Sequence, residues 1–216
     1  MKNNLSEKIL RAVTILLILL VFLLSLTFPR QNRIYLFLLV FGFFFWQRKW
    51  LQTFFQKLKN PKIALAVFLF TGWLGALFLE FCWGRLPFSP RPITNLIIGL
   101  GFYLPYFCLW RKFVDKYKFN FLEIFYLSGL GKLLFDGFIT HKLFAATGMI
   151  AFITRVVATI VLFGSLTTLP IFLIGEQKSN YHKPTKEYFM GILPTFLAVA
   201  AFIAWVIILK IIFHKT

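Results

Sequence analysis

LFAATGMIAFITRVVATIVLFGSLTTLPIFLI, residues 143–174, is apolar throughout except for Arg155 and scattered threonine and serine. No helical register of this run gives a charged face, so it cannot be a surface helix of a water-soluble domain. Its 32 residues would measure about 48 Å as one helix, against a bilayer hydrocarbon core of about 30 Å. The stretch is therefore expected to bend or break, at Gly148, Gly164 or Pro170, or to end along the membrane interface.

The rest of the chain follows the same pattern. Apolar runs cover Ala12–Phe28, Ile34–Trp46, Ile63–Trp83, Ile93–Trp110, Phe121–Ile139 and Phe189–Ile212. Ile34–Trp46 is the shortest, at about 20 Å of helix. Trp50–Leu58 alternates aromatic, polar and basic residues and reads as an amphipathic helix at the interface. Composition agrees: 59% of the 216 residues are hydrophobic and 14% charged, where a soluble domain has about 45–50% and 25%. This excludes a soluble monomer and a disordered chain. Aromatic residues near the run ends, Trp46, Trp50, Trp83, Trp110 and Tyr188, suit an interfacial belt. Gly72-xxx-Ala76 and Ala200-xxx-Ala204 are candidate close-packing faces.

Loop charges orient the chain. Lysine plus arginine, counted loop by loop, runs 3, 2, 5, 2, 4, 1, 3, 2 from the N-terminus, with Lys132 and Arg155 inside runs. With the N-terminus inside, 15 cations face the cytoplasm and 7 the outside, a positive-inside bias. The expected fold is one polytopic domain over residues 1–216, an all-α integral membrane protein. It is a bundle of seven transmembrane helices (six if Ile34–Trp46 does not span), N-terminus cytoplasmic, C-terminus outside, in the plasma membrane. The net charge of +17 is accounted for by these loops and anionic headgroups, so no nucleic-acid partner is expected.

Phosphate-loop, zinc-protease, CxxC and nucleophile-elbow motifs are all missing from the sequence. The three histidines are dispersed, so no metal site and no cofactor is expected. Chemistry falls to the ionisable residues inside the runs, which are costly in lipid and should face the bundle interior. Glu80 and Asp136 lie about 10 and 9 Å outward of their run centres, Lys132 about 3 Å outward, and Arg155 near mid-membrane or further out. Lys132 and Asp136 are i,i+4 and can pair directly, which leaves Arg155 as the expected partner of Glu80. Glu123 is expected at the cytoplasmic boundary, pairing with Lys116 or Lys118.

An internal echo links two of these acids: Gly75-Ala-Leu-Phe-Leu-Glu80 matches Gly131-Lys-Leu-Leu-Phe-Asp136, and Arg85 and His141 each follow five residues later. The loop Gly84–Pro92, with three prolines, should be stiff. With Arg30, Arg33, Arg85, Arg91 and His141 nearby, the outer mouth should be electropositive. Glu80, Lys132, Asp136, Arg155, Arg85 and His141 are the candidate substrate-binding residues. The pattern fits a small permease with an outward-facing polar site for a small anionic solute or lipid headgroup. The alternatives are an intramembrane enzyme acting on a lipid or lipid-linked substrate, and an assembly subunit with no site of its own, working with a partner or a second copy.

Overall fold

A computed structural model describes residues 2–27, 33–82, 92–139, 148–175 and 183–213, and every element among them is helical. The helices are α1 (Lys2–Thr27), α2 (Ile34–Trp46), α3 (Arg48–Gln56), α4 (Pro61–Cys82), α5 (Pro92–Tyr117), α6 (Phe121–Leu134), α7 (Met149–Ile174) and α8 (Thr185–Phe213). A π-turn, Phe135–Ile139, continues α6. Four helices, α1, α4, α7 and α8, are long and apolar enough to cross a membrane. The pair α2 and α3, bent by 64°, makes a fifth if counted as one span. The chain is thus an all-helical protein whose apolar helices suit a membrane.

The long apolar stretch becomes α7, and its break falls at Gly148. That residue takes φ +95°, a left-handed conformation open to glycine, and stands just ahead of the first turn. Gly164 and Pro170 lie inside a continuous helix of 26 residues, about 39 Å. Every residue from Val161 to Leu173 is buried. The absence of a polar face has a direct cause: α1, α2, α3, α4, α5 and α6 all pack against this helix. Gly164 lets α6 close on it, since a Cβ there would lie 2.7 Å from the Phe125 carbonyl oxygen. Phe172 is the hub at its C-terminal end, with the rings of Phe41, Phe45 and Phe121 centred 5.5, 5.8 and 5.1 Å away.

Helices α4, α5, α8, α6 and α7 close a ring in that order. Neighbours are antiparallel except α6 and α8, where Leu127 meets Gly191 and Gly131 meets Thr195. The backbone N–H of Arg33 donates to the Cys82 carbonyl at 2.9 Å and joins the start of α2 to the end of α4. One end of the bundle, formed by the α2–α3 bend, the α5 C-terminus and the starts of α6 and α8, gathers most of the described cations.

Two expectations change. Trp110 is fully buried rather than at an interface, because α5 runs seven residues beyond it, through Arg111, Lys112 and Lys116. Trp46, at 78% exposed, and Trp50, at 64%, do sit on the surface. Gly72 and Ala76 are buried, with Phe107 of α5 against Gly72, whereas Ala200 and Ala204 are exposed and Ala198 is the packed alanine of α8. The proline-rich loop ahead of Pro92 lies outside the described residues.

Candidate functional site

Lys132, in the last turn of α6, stands one turn before Asp136, the second residue of the π-turn, and the two side chains form an ion pair. Each side chain is 17% exposed. Lys132 Nζ also lies 5.0 Å from the ring centres of both Phe135 and Phe163, so the ammonium sits between a carboxylate and two aromatic faces. A π-turn widens the helix by one residue per turn; it is rare and frequently falls at functional sites. Here it falls on the one acid of α6 that lies deep in the run.

Glu80, near the end of α4, is half-buried and accepts a hydrogen bond from Tyr103 Oη of α5 at 2.8 Å. Nothing in the sequence marks Tyr103 out, because its partner is 23 residues away on another helix. Glu80 and the Lys132–Asp136 pair occupy the same end of the bundle, opposite the basic end. They stand on either side of α7, since α4 and α6 barely touch. Arg155 is exposed on the second turn of α7, nearer that end than mid-membrane. Arg85 and His141, with the other two histidines, lie outside the described residues.

Deeper in the ring is a layer of hydroxyls that the sequence does not announce. Tyr106 of α5 is fully buried and its Oη lies 2.6 Å from Thr167 Oγ1 of α7. Thr167 has one proton, which goes to the Phe163 carbonyl at 2.8 Å, so Tyr106 is the donor to Thr167. Trp110, Ser128 and Thr195 surround the same Tyr106 hydroxyl. Ser128 and Thr195 are themselves fully buried, from α6 and α8. The layer therefore draws a group from each of α5, α6, α7 and α8. Among the described residues, Trp110 Nε1, Ser165 Oγ and Thr195 Oγ1 are buried without a hydrogen-bond partner. Such groups are costly in an apolar interior, and two of them, on Trp110 and Thr195, lie in this layer.

At the basic end, Glu123 meets different partners from those expected. It pairs with Lys183, whose Nζ lies 2.6 and 2.8 Å from its two carboxylate oxygens, and accepts from Tyr188 Oη at 3.1 Å. Glu123 also closes a capping box: its Oε2 accepts the Asn120 N–H at 2.7 Å, and Asn120 Oδ1 accepts the Glu123 N–H at 2.9 Å. Lys116 stands in the last turn of α5 and Lys118 just past its end, at φ +54°, and neither is the cation that Glu123 meets. Lys183, with a side chain 3% exposed and stacked 5.2 Å over Phe119, reaches from the start of α8 instead.

No family model, no curated protein and no solved structure matches the chain.

Proposed function

We propose that this chain is a small multi-pass permease of the plasma membrane that takes a small anionic solute at an outward-facing polar site. In this reading seven helices cross, with the N-terminus cytoplasmic and the C-terminus outside. Helix α6 and its π-turn together run 19 residues, about 28 Å, which suits one crossing. Glu80, Lys132 and Asp136 line the site, with Arg155 nearer its end of α7, and Arg85 and His141 complete the proposed set of binding residues from the sequence. The observation that carries the reading is the partly buried Lys132–Asp136 pair, where α6 passes into a π-turn, above a core layer of hydroxyls shared by four helices. Ionisable groups kept within apolar helices usually mark a solute path.

The test is flux in proteoliposomes, with chloride, phosphate and short carboxylates as the solutes, beside thermal stability in detergent. Lys132→Met alone removes the cation that pairs with Asp136 and should lower both. Lys132→Met with Asp136→Leu leaves an apolar face of similar shape and should restore stability while flux stays lost. Recovery of both would reduce the pair to packing and overturn the reading. So would a wild-type chain that moves none of these anions but turns over lipid in detergent.

A further inference from the structure

A second site lies at the other end of the bundle, on its outer wall. A cleft of about 390 Å³ runs between α1, α2, α6 and α7. That volume falls in the range of about 300–1,000 Å³ usual for ligand clefts. Its walls are Ile15, Ile18, Phe41, Phe45, Phe125 and Phe172, with Thr14 and Thr168 the only uncharged polar residues. Two guanidinium groups, those of Arg11 and Arg48, line it as well, and no acidic residue does. Both arginines lie at the basic end, Arg11 early in the apolar run of α1 and Arg48 just past the end of α2. The Arg48 guanidinium is held 4.3 Å over the Phe45 ring, which fixes it at the mouth. From Arg11 to Leu19, the deepest lining residue of α1, the cleft extends about 12 Å along the helix. That is most of the hydrocarbon depth of one leaflet, roughly 15 Å.

We infer that this cleft is a binding site for an anionic glycerophospholipid of the leaflet at the basic end. One acyl chain lies along the aromatic wall and the phosphate meets Arg11 and Arg48. Charge and depth match together: an apolar slot alone would accept any lipid tail, and two surface arginines alone any anion, but a phospholipid carries both at this spacing. Basic pockets between helices recognise anionic headgroups by this chemistry. The inference is independent of whether the chain moves a solute.

Native mass spectrometry of the purified full chain, titrated with phosphatidylglycerol or phosphatidylcholine of identical acyl chains, tests it. One phosphatidylglycerol should be retained preferentially. Arg11→Gln with Arg48→Gln should weaken that retention about thirtyfold. Gly42→Leu offers an independent variant, because Gly42 lines the cleft and a Cβ there meets nothing within 4 Å. It should fill the slot, abolish retention and leave thermal stability unchanged. Equal retention of both lipids, or full phosphatidylglycerol retention by both variants, would overturn the site. So would displacement of the lipid by glycerol 3-phosphate at equal concentration, which would make it an anion site without a tail.

Discussion

Removing the Tyr106 hydroxyl should weaken the bundle by a measurable but limited amount. Tyr106→Phe keeps the ring and deletes only the donor at 2.6 Å from Thr167. Thr167 is not stranded, since its own proton remains on the Phe163 carbonyl. The loss is therefore one interhelical hydrogen bond, worth about 0.6 kcal/mol on average in membrane bundles and up to about 1.7. A short bond between fully buried groups belongs in the upper half, at about 1–1.5 kcal/mol. By soluble-domain scaling that is a Tm lower by roughly 2–6 °C. Thr167→Val should cost at least as much, because it leaves the Tyr106 donor to find Thr195 or Ser128. The double variant should fall short of the sum by about 1 kcal/mol. Cys82, 1% exposed, is a built-in reporter: a thiol-reactive fluorophore signals when α4 opens, provided the half-buried Cys108 is first replaced by Ala. A coupling energy below about 0.3 kcal/mol, or a Tyr106→Phe chain more stable than wild type, would refute the hydroxyl layer as a source of cohesion.

Further outcomes follow from the packing and the charges. Gly129→Ala should destabilise by about 1–3 kcal/mol, because the new Cβ would lie 2.8 Å from the backbone of Ile160, which cannot rotate away; Gly99→Ala, whose nearest neighbour is the Tyr103 ring at 3.8 Å, should be neutral or stabilising in the same melt. Lys183→Met should cost about 2 kcal/mol, less than a fully buried pair because Glu123 is 16% exposed and keeps Asn120 and Tyr188; adding Glu123→Gln should recover most of it in the same assay. Single cysteines at Lys57, Lys116 and Lys186, all exposed, should resist an impermeant maleimide in intact cells when Cys82 and Cys108 are absent, and one at Arg91 should label. Labelling at 116 or 186 but not at 91 would reverse the proposed orientation.

What the sequence makes legible is set by how local the determining force is. Helix α2 occupies Ile34–Trp46, the expected bounds, because a charged or amide residue flanks the apolar run on each side and hydropathy alone sets its ends. The Lys132–Asp136 pair is equally local, four residues apart on one face. Trp110 shows the opposite case. Its place next to Arg111 reads as an interface, but helical hydrogen bonding carries α5 on to Tyr117, and the packing of α5 on its neighbours buries the indole. The π-turn has no local signature either. It follows α6 directly, a helix that packs on both α7 and α8, neighbours that the sequence of the turn does not reveal.

The hydroxyl layer was illegible for a chemical reason. A threonine in an apolar helix satisfies itself by donating to the carbonyl four residues back, and Thr14, Thr71, Thr154, Thr167 and Thr168 all do so, to Leu10, Val67, Ile150, Phe163 and Gly164. In sequence these five are equivalent. Each keeps free lone pairs, and the fold decides which are used. Tyr126 lies 2.8 Å from Thr14 and Tyr106 2.6 Å from Thr167, each from a different helix, whereas Thr154 is exposed on the surface of α7. The self-satisfied threonine is thus a cheap acceptor, and a tyrosine across the interface turns it into a tie between helices. Both ties hold α1, α5, α6 or α7 to one another without placing a net charge in the core. Where charge does lie inward it is paired: Lys183, just ahead of α8, with Glu123 of α6, and Lys132 with Asp136 one turn further along the same helix.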